Sequence, residues 1–397
     1  MIKTPSVVTY ALSQCVKCLK CVKACPTQAL SRVKGRITVD QNRCINCGRC
    51  ISTCHSKGIV AMGSTLDDIE NYDYTVCMIP SALSSSCSSL QEVEELFYSI
   101  KNLGFDEVVD LSPYEGQIMK ETQLINEEFG SYKVIASMCP VVNRLIETTY
   151  PMLLDNLTPL DFPSEVAAKC IRKRLADKGR VGIFNCCECE AKLALAKYPY
   201  GNFSYETDHA LSIMYIFPKI QKHKGEGRIP VHLCREGLQV CNPYAMVQKE
   251  DTLIADGFEK VSNVLSLEEF GQLNIYSLLY LYPCFNGCIG GHLLFGNSFL
   301  KKNNIYKLLR QGSSEPAEID SDLLYSETIN KTSEDSRTFK EKVEFFAKVN
   351  EQLDKLPGYD CSACGLQTCR IMAEEIAKGN KKVDDCIIIR SKKEKSE

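Results

Sequence analysis

Short apolar runs alternate with amphipathic segments through the middle of the chain, between residues 63 and 335. The apolar runs have the length of buried strands, and the segments between them repeat apolar positions at helical spacing. Strands are predicted over 75–80, 107–111, 133–136, 180–185 and 276–282, and helices over 91–103, 114–129 and 164–176. This alternation favours an α/β fold with parallel sheets and crossover helices.

The two ends of the chain have shorter elements. Near the N-terminus, residues 36–40 and 59–62 are predicted to be short strands, as in a small α+β domain. Near the C-terminus, Ala373, Ile376 and Ala377 recur at helical spacing, and a lysine-rich tail follows over 391–397. The sequence therefore predicts three domains, over residues 1–62, 63–338 and 339–397.

Composition and charge exclude several classes of protein. The chain has 397 residues, 44% hydrophobic and 24% charged, with a formal net charge of −3. This composition is typical of a folded globular protein, and the charge gives no support to a nucleic-acid partner. No apolar run reaches the roughly 20 residues of a membrane span, and residues 1–6 lack the apolar core of a secretion signal. We expect a cytoplasmic protein without membrane insertion.

Cysteine is the unusual component, with 23 residues. An odd number cannot all pair as disulfides, and a reducing cytoplasm would not preserve such pairs. So many thiols indicate another use, and their spacing suggests metal binding.

Two cysteine quartets near the N-terminus share the spacing C-x2-C-x2-C-x3-C and repeat after 29 residues. Bacterial two-cluster ferredoxins use this run, in which the fourth cysteine of each quartet binds the other cluster. We therefore predict two [4Fe–4S] clusters. Their ligands are Cys15, Cys18, Cys21 and Cys54 for one, and Cys25, Cys44, Cys47 and Cys50 for the other. Zinc is the alternative, although zinc motifs rarely place three cysteines in this way.

A further quartet lies near the C-terminus and consists of Cys361, Cys364, Cys369 and Cys386. Together with the Leu-Pro-Gly sequence before it, the quartet resembles the small four-cysteine iron–sulfur domain of the corrinoid iron–sulfur protein and of electron-transport subunits. The resemblance implies one more [4Fe–4S] cluster. Zinc is a stronger alternative here, because C-x2-C pairs are common in zinc sites.

Three loops of the central region also carry cysteines, and each follows a predicted strand. They cover residues 137–140, 186–192 and 283–291. Because α/β folds place their sites at the carboxyl ends of parallel strands, we expect the loops to gather around one metal centre. Gly287, Gly290 and Gly291 would let the backbone pass close to it.

The three loops resemble the signature loops of the [FeFe]-hydrogenase catalytic domain. The matching residues are Cys139-Pro140 in the first loop, Cys189-Glu190-Ala191-Lys192 in the second, and 284–291 in the third. Residues 208–212 are similar to a further short segment of that domain. With the cluster motifs on both sides, the resemblance covers nearly the whole chain.

The resemblance implies a six-iron cofactor, the H-cluster. Its [4Fe–4S] part would be bound by Cys139, Cys189, Cys284 and Cys288, and Cys288 would bridge to a two-iron subcluster with carbon monoxide, cyanide and a dithiolate ligand. The family activity is the interconversion of H2 with protons and electrons, which requires maturation proteins and a ferredoxin or other redox partner. Lys192 would donate hydrogen bonds to one cyanide, and Pro80 and Ser81 would lie near the other. A solvated lysine at a helix start is the alternative for Lys192.

The sequence departs from the family at the proton-transfer position. The fast enzymes have a cysteine where this chain has Met138, and a thioether has no exchangeable hydrogen. Glu188 replaces a proline of the second loop, and Phe285-Asn286 replaces Pro-Gly in the third. These changes resemble the branch of the family to which hydrogen sensing is ascribed, so we expect slow turnover, an H2-sensing role and a separate signalling partner.

Several alternatives stay open at this stage. Glu188 or Glu190 could supply a substitute proton relay, or both could be solvated surface carboxylates. The remaining cysteines fit no ligand pattern, and a buried thiol acting as a small hydrophobic residue is the default for Cys77, Cys87, Cys170, Cys186, Cys187, Cys234 and Cys241. Cys186 and Cys187 adjoin the second loop, so they could exchange with a ligand there. The whole chain could instead be a non-catalytic electron carrier or a subunit of a redox complex, without the two-iron subcluster.

Overall fold

The computed structural model describes residues 7–10, 13–129, 133–195, 205–325 and 339–393. The predicted domain boundary at residue 338, residues 1–6 and the last four residues of the lysine-rich tail lie outside the described residues. The chain forms two compact units. The first unit comprises Met1–Cys44, Gly48–Ala61 and Thr332–Glu397, and the second unit comprises Ile45–Cys47 and Met62–Lys331.

The described residues form eleven strands and sixteen α-helices. The strands are β1 (Val8–Tyr10), β2 (Leu30–Val33), β3 (Arg36–Val39), β4 (Ile59–Ala61), β5 (Tyr74–Ile79), β6 (Glu107–Asp110), β7 (Val134–Ile135), β8 (Val181–Cys187), β9 (His209–Ser212), β10 (Thr252–Asp256) and β11 (Leu278–Tyr282). The α-helices are α1 (Lys20–Ala24), α2 (Arg49–Ser52), α3 (Ser81–Ser84), α4 (Leu90–Lys101), α5 (Ser112–Phe129), α6 (Pro140–Thr149), α7 (Pro163–Arg174), α8 (Glu190–Leu195), α9 (Ile213–Ile220), α10 (Arg235–Cys241), α11 (Phe258–Glu269), α12 (Ser298–Leu309), α13 (Ser321–Leu324), α14 (Phe339–Asp354), α15 (Cys369–Ala377) and α16 (Ile387–Lys393).

The 29-residue sequence repeat of the first unit is also a repeat of backbone conformation. β1 pairs with β4 and β2 with β3, both antiparallel, and a short helix contains the third cysteine of each quartet. Residues 29 positions apart share left-handed φ angles: Lys17 (57°) and Asn46 (50°), Leu19 (61°) and Gly48 (72°), and Gln28 (58°) and Lys57 (54°). Such turns aim successive N–H groups at one point, which is how many iron–sulfur sites are lined.

The C-terminal cysteine loop packs against the N-terminal repeat within the first unit. The Arg32 amide donates to the carbonyl of Gly365 at 2.9 Å, and the Arg32 guanidinium donates to the carbonyl of Ala363 at 2.9 Å. The Gln367 side chain donates to the carbonyl of Lys23, also at 2.9 Å. These bonds tie the loop that carries Cys361 and Cys364 to the first cysteine quartet.

The second unit contains two parallel sheets, as the alternation of strands and helices predicts. The strand order is β6-β5-β8-β9 in one sheet and β10-β11-β7 in the other. Every residue of β8 and of β11 is buried, which is typical of strands covered by helices on both faces. The predicted α/β fold is confirmed, and the ends of the predicted strands differ from the observed ones by at most two residues.

The parallel arrangement decides where the cysteine loops lie. The first loop follows β7, the second follows β8 and the third follows β11, so all three leave the carboxyl ends of their strands. Pro80 and Ser81 leave β5 on the same side of its sheet as the second loop leaves β8, because these strands are parallel neighbours. In the described parts of the chain, no helix is both long enough and apolar enough to cross a membrane.

Candidate metal centre

Cys139 lies at the start of a helix. It is the residue immediately before α6, and Pro140 occupies the first helical position, where a missing N–H costs nothing. Burial raises the pKa of the Cys139 thiol, and hydrogen bonds from the amides of Val142 and Val141 oppose this rise. Free N–H groups at a helix start stabilise a thiolate, which is the form that binds metal.

Cys189 has a similar position in the second loop. It directly precedes α8, which is Glu190–Leu195, and only Glu188 separates it from the end of β8. Burial and the nearby Glu188 raise the pKa of Cys189, and the Lys192 side chain lowers it. Lys192 belongs to the first turn of the same short helix, so one local segment supplies both a thiol and a cation.

The third loop makes a tight turn that carries Cys284 and Cys288. Asn286 has φ 64° and Gly287 φ 73°, both in the left-handed region. Asn tolerates this conformation better than most residues, which explains how Asn286 can stand where the family has glycine. The Asn286 amide donates to Asp256 at 3.0 Å, and its side chain donates to Ser298 at 2.9 Å.

The glycines of the third loop allow close approach to neighbouring loops. A Cβ atom at Gly291 would collide with the carbonyl of Glu188, and one at Gly287 would collide with Pro243. The amide of Leu293 also donates to the Glu188 carbonyl at 3.0 Å. The predicted close passage of backbone therefore occurs, and it holds the third loop against the second loop and against the end of α10.

The four predicted ligands line a single cavity, here called the cluster cavity. Cys139, Cys189, Cys284 and Cys288 all lie in its wall, and so does Cys47. Cys47 belongs to the same compact unit through residues 45–47. Burial, Cys139, Glu190 and then Cys47 raise the pKa of Cys284. The structure thus brings together thiols that are separated by up to 149 positions in the sequence, between Cys139 and Cys288.

The donor set of the cluster cavity fits an iron–sulfur cube. Among the described residues, no group of three or more His, Cys, Asp or Glu side chains is close enough together to hold a single metal ion. The ligands of a cube bind four different iron atoms, so they stand farther apart than the ligands of one ion. Cysteine thiolates are the usual ligands of such clusters, and a bound metal would keep these thiols deprotonated despite burial.

A second cavity adjoins the first and shares part of its wall. Met138, Cys139, Lys192, Tyr282 and Cys288 line both cavities. The second cavity is closed by further residues, which include Glu115 and Cys241. The Glu115 carboxyl and the Ser81 hydroxyl are both buried here, so the surroundings of this cavity are polar and suit a polar guest. We call it the reaction cavity.

Lys192 forms an ion pair with a residue of its own loop. Its Nζ lies 2.6 Å from Oε1 of Glu188, and the two side chains are only 14% and 1% exposed. Burial opposes the charge of Lys192, but Glu188, Cys288 and Glu115 raise its pKa well above the ordinary value. The alternative of a solvated lysine is therefore wrong, because Lys192 is a largely buried cation at the wall of both cavities.

Glu188 and Glu190 are both buried, at 1% and 0% exposure. The alternative that they are solvated surface carboxylates is therefore wrong. Oε2 of Glu190 lies 3.5 Å from Nδ1 of His292, whose side chain is 26% exposed. Glu190 lines neither the cluster cavity nor the reaction cavity, and its charge acts on Cys284. The relay hypothesis for these two carboxylates stays a prediction.

Pro80 and Ser81 stand behind the reaction cavity rather than in its wall. Ser81 is fully buried at the start of α3. Its hydroxyl lowers the pKa of both Glu115 and Cys241, so it lies close to two side chains that line the cavity. Their predicted role near a cyanide ligand stays a prediction.

Of the N-terminal ligands, the structure brings Cys15, Cys18, Cys21 and Cys54 together. Burial raises the pKa of Cys21 to about 11, and the neighbouring Cys54, Cys15 and Cys18 add to the rise. Hydrogen bonds from Ser56 and from the amides of Gly58 and Ile59 lower the pKa of Cys54 against the effect of its burial. Of the other predicted set, Cys25, Cys44 and Cys50 pack in one apolar cluster of the first unit.

The C-terminal quartet also lines one cavity. Cys361, Cys364, Cys369 and Cys386 surround it, with Leu356, Pro357 and Ile388 among its apolar walls. α15 begins at Cys369 and ends at Ala377, and Gly379 then takes a left-handed φ of 79°. The predicted helix is confirmed, and the chain returns to place Cys386 beside Cys364.

The unassigned cysteines separate into different environments. Cys77 and Cys186 face each other across β5 and β8 with a Sγ–Sγ distance of 3.3 Å, and Cys187 donates to the Asn185 carbonyl at 3.4 Å. Neither Cys186 nor Cys187 lines the cluster cavity or the reaction cavity. Cys241 is the exception, because it lies in the wall of the reaction cavity.

Sequence reasoning missed Glu115 and Cys241. Glu115 follows the pattern of an amphipathic helix, in which a charged residue is usually solvated, and Cys241 has the pattern of a core residue. A signal was present in Gly116 and Gly237, since a glycine inside a helix often marks a close helix contact. The spacing of Glu188 and Lys192, four positions apart, also favours an ion pair.

Comparisons with known proteins agree with this geometry. Residues 74–212 match the family model of the iron-only hydrogenase large subunit, C-terminal domain. Residues 14–58 match the 4Fe-4S dicluster domain, and residues 356–388 match an Fe-S cluster family. The hydrogenase match includes the first two loops and stops before the third. No curated protein sequence matches the chain significantly.

Solved [FeFe]-hydrogenases have a similar fold. One was solved in work on oxygen inactivation through modification and degradation of the H cluster 2Fe subcluster, and another is a variant of HydA1 from Chlamydomonas reinhardtii. Each has 13% sequence identity and a TM-score of 0.50, and the similarity covers 66% of this chain and 97% of the other. The chain thus has the [FeFe]-hydrogenase fold, and its hydrogenase-like segment lies between segments that match a 4Fe-4S dicluster domain and an Fe-S cluster family.

Proposed function

We propose that the chain is an [FeFe]-hydrogenase that interconverts H2 with protons and electrons. The observation that carries this proposal is the gathering of Cys139, Cys189, Cys284 and Cys288 around one cavity, beside a second cavity that contains Lys192. A simple electron carrier needs only the first of these cavities. A second cavity with a buried cation and polar side chains around it is what a reactive, negatively charged group requires.

The cluster cavity would hold a [4Fe–4S] cube and the reaction cavity a two-iron subcluster with carbon monoxide, cyanide and a dithiolate. When bound, this H-cluster supplies the heterolytic cleavage of H2. Cys288 lines both cavities and is therefore suited to bridge the two parts. Lys192 would donate hydrogen bonds to the guest from its ammonium, and Glu188 would keep that ammonium protonated and oriented. Pro80 and Ser81 would approach the guest from the end of β5.

The cysteine quartets would carry electrons through three further [4Fe–4S] clusters, two in the N-terminal repeat and one at the C-terminus. The order of the motifs along the chain supports a path in which the N-terminal pair feeds electrons to the H-cluster. The electron partner would be a ferredoxin or another redox protein. Cys361→Ser should leave the infrared bands of the H-cluster intact and slow electron exchange with one partner. Unchanged exchange with every partner would remove the C-terminal cluster from the path.

Turnover should be slow, because Met138 cannot pass on a proton. Slow turnover suits a protein that senses H2 better than one that converts it in bulk, so we extend the proposal to an H2-sensing role through a separate signalling partner. Installation of the two-iron subcluster would require maturation proteins, and the expected location is the cytoplasm.

The test is hydrogen oxidation with an artificial electron acceptor, measured on the chain matured with the two-iron subcluster. The chain should turn over H2 slowly, and Cys288→Ala should abolish turnover while the N-terminal clusters stay intact. Cys87→Ala is the matched control, since Cys87 is a buried thiol that lines neither the cluster cavity nor the reaction cavity. A matured chain with no turnover would favour the electron carrier or redox-complex subunit instead.

A further inference from the structure

A third cavity of the second unit lies apart from the candidate metal centre. Among the described residues, it shares no wall residue with the cluster cavity or the reaction cavity. Leu96 of α4, Ile220 at the end of α9 and Leu300 near the start of α12 all line it. Its volume is about 410 Å³, which is within the usual range of small-molecule sites. We call it the side cavity.

One buried cation indicates the charge of a ligand for the side cavity. Lys301 lies in the cavity wall and is 4% exposed. Its ammonium has three N–H donors, and in the described part of the chain it makes one hydrogen bond, to the Ile289 carbonyl at 3.3 Å. Burial lowers the pKa of Lys301 to about 8, and no charge of the described residues offsets that effect. A buried cation without a counter-charge is costly, and a bound anion would reduce this cost.

The acidic residues of the side cavity do not supply the missing counter-charge. Glu95 pairs with Arg228 at 2.9 Å, and Glu92 accepts from the Ser88 amide at 2.6 Å and from its hydroxyl at 3.1 Å. Both carboxylates belong to α4, whereas Lys301 belongs to α12. The start of α12 favours a negative charge in addition, because its helix dipole is positive at that end. An anionic group would therefore be directed to Lys301 and away from α4.

The apolar part of the wall indicates the body of the ligand. Phe217 and Phe295 stack with their ring centroids 4.1 Å apart, and both line the side cavity beside Leu83, Leu96 and Leu300. A fully polar anion would leave this apolar surface uncovered. A carboxylate on an apolar body matches both parts of the wall, because it forms a charge-assisted hydrogen bond with the ammonium and buries its chain against the rings.

Lys301 also connects the side cavity to the third cysteine loop. The Ile289 carbonyl that accepts from its ammonium directly follows Cys288, within the short helical turn Gly287–Gly290. Ile289 is fully buried and belongs to the same apolar cluster as Leu83 of the cavity wall. A ligand carboxylate would compete with this carbonyl for the ammonium. Binding would therefore weaken a hydrogen bond to the backbone beside Cys288.

We propose that the side cavity binds a small carboxylate with an apolar body, that Lys301 holds the carboxylate, and that binding alters the third loop beside Cys288. The ligand would lie outside both cavities of the candidate metal centre, so it would regulate that centre rather than react there. The binding step does not depend on the proposed hydrogenase function. The effect on the H-cluster rests on that function.

The first test measures binding to the full chain with its cubes by isothermal titration calorimetry. Hexanoate and phenylacetate are the probes, and hexylamine, with the opposite charge, is the control compound. At least one carboxylate should bind with one molecule per chain, and hexylamine should not bind. Lys301→Met should weaken carboxylate binding at least ~10-fold, because it removes the ammonium and keeps an apolar chain. Lys302→Met is the matched control and should keep the affinity, since Lys302 lies over the Tyr244 ring and does not line the side cavity.

Three outcomes of this test would overturn the site. They are binding of neither carboxylate, equal binding of hexylamine, and an unchanged affinity in Lys301→Met with its cubes intact. The comparison of the carboxylates with hexylamine uses the wild type alone, so it decides the question even if Lys301→Met does not fold.

The second test uses the matured chain and the carboxylate that binds. At saturation it should shift the infrared bands of metal-bound carbonyl and cyanide in the wild type and in Lys302→Met, but not in Lys301→Met. Bands that stay in place in the saturated wild type would overturn the coupling to the third loop. Absence of the bands from the wild type without ligand would overturn the proposed function, whereas the binding site is decided by calorimetry alone.

Discussion

Nζ of Lys192 lies 2.6 Å from Oε1 of Glu188, and the pair is buried between the cluster cavity and the reaction cavity. The second cysteine loop thus supplies both the cation, Lys192, and its counter-charge, Glu188. Glu188 stands at a position where the family has proline. The Glu188 carboxylate keeps the Lys192 ammonium charged although this side chain is largely buried. Removing one partner of a buried ion pair leaves the other charge uncompensated, which usually costs more than the pair itself contributes.

Glu188→Gln is therefore expected to lower the free energy of unfolding by roughly 3 kcal/mol. Denaturant unfolding of the full chain with its cubes intact measures the change. The double variant Glu188→Gln/Lys192→Met should recover part of the loss, because it removes the unpaired ammonium as well. A single variant as stable as the wild type would show that the ion pair does not form in solution.

Glu190 should affect the reduction potential of the cube rather than proton transfer. Its buried carboxylate raises the pKa of Cys284 and lines neither cavity, so its negative charge opposes reduction of a cube held by Cys284. Glu190→Gln should raise the midpoint potential of that cube by on the order of 50 mV. A redox titration followed by infrared or electron paramagnetic resonance spectroscopy measures it.

An unchanged midpoint potential in Glu190→Gln would contradict the assigned role. Turnover in the same variant, compared with Glu188→Gln, also tests the relay hypothesis for the two carboxylates. Wild-type rates in both variants would remove both carboxylates from proton transfer.

Met138→Cys should accelerate turnover of the matured chain by about 10-fold or more. A thiol at this position has an exchangeable hydrogen in the wall of the reaction cavity, which the thioether lacks. Met138→Leu, of similar volume and without an exchangeable hydrogen, is the matched control and should give no increase. An unchanged or lower rate in Met138→Cys with intact carbonyl and cyanide bands would show that proton supply at this position does not limit turnover.

The free energy of unfolding should fall as the pH rises, because of Glu165. Burial raises the pKa of this carboxyl from 4.5 to about 8, so the folded chain binds a proton that the unfolded chain has already lost over this range. The stabilising contribution is therefore complete below about pH 4.5 and is lost as the pH rises through 8. Its size is on the order of a few kcal/mol.

Glu165→Gln should flatten the fall in thermal midpoint between pH 5 and pH 8 and raise the midpoint at pH 8. The neutral amide keeps an oxygen that can accept from the Glu206 amide, as Oε1 does at 2.6 Å. Glu250→Gln, at an exposed position, is the control and should leave the slope unchanged. An identical slope in Glu165→Gln and the wild type would mean that Glu165 is ionised in the folded chain at pH 7.

Much of the fold could be predicted because its signals are local. Buried strands such as β8 and β11 are short apolar runs, and parallel strands bring their carboxyl ends to the same side of a sheet. The meeting of the first and third cysteine loops followed from this rule, because β7 and β11 are neighbours in one sheet, and the cysteine quartets had spacings that few other sites share. The left-handed turns at Lys17 and Asn46 show that the sequence repeat is a repeat of structure.

The remaining part of the site depends on how helices pack, which sequence patterns indicate only weakly. Whether Glu115 faces solvent or the cavity is decided by the contact of α5 with α10, and that contact depends on two glycines far apart in the chain. The burial of Glu188 and Lys192 depends in the same way on the third loop closing over the second. Glu115, Glu188 and Lys192 have residue types that are typical of a surface, and tertiary packing places them in the cavity walls.

Infrared spectroscopy of the matured chain, combined with its iron and acid-labile sulfide content, tests the central claim most directly. The account predicts bands of metal-bound carbonyl and cyanide, together with iron for four cubes and two further atoms, and it predicts that Cys288→Ala loses the bands. Iron and sulfide in equal amounts, sufficient for cubes alone and without any such bands, would contradict it and leave an electron carrier with a hydrogenase fold.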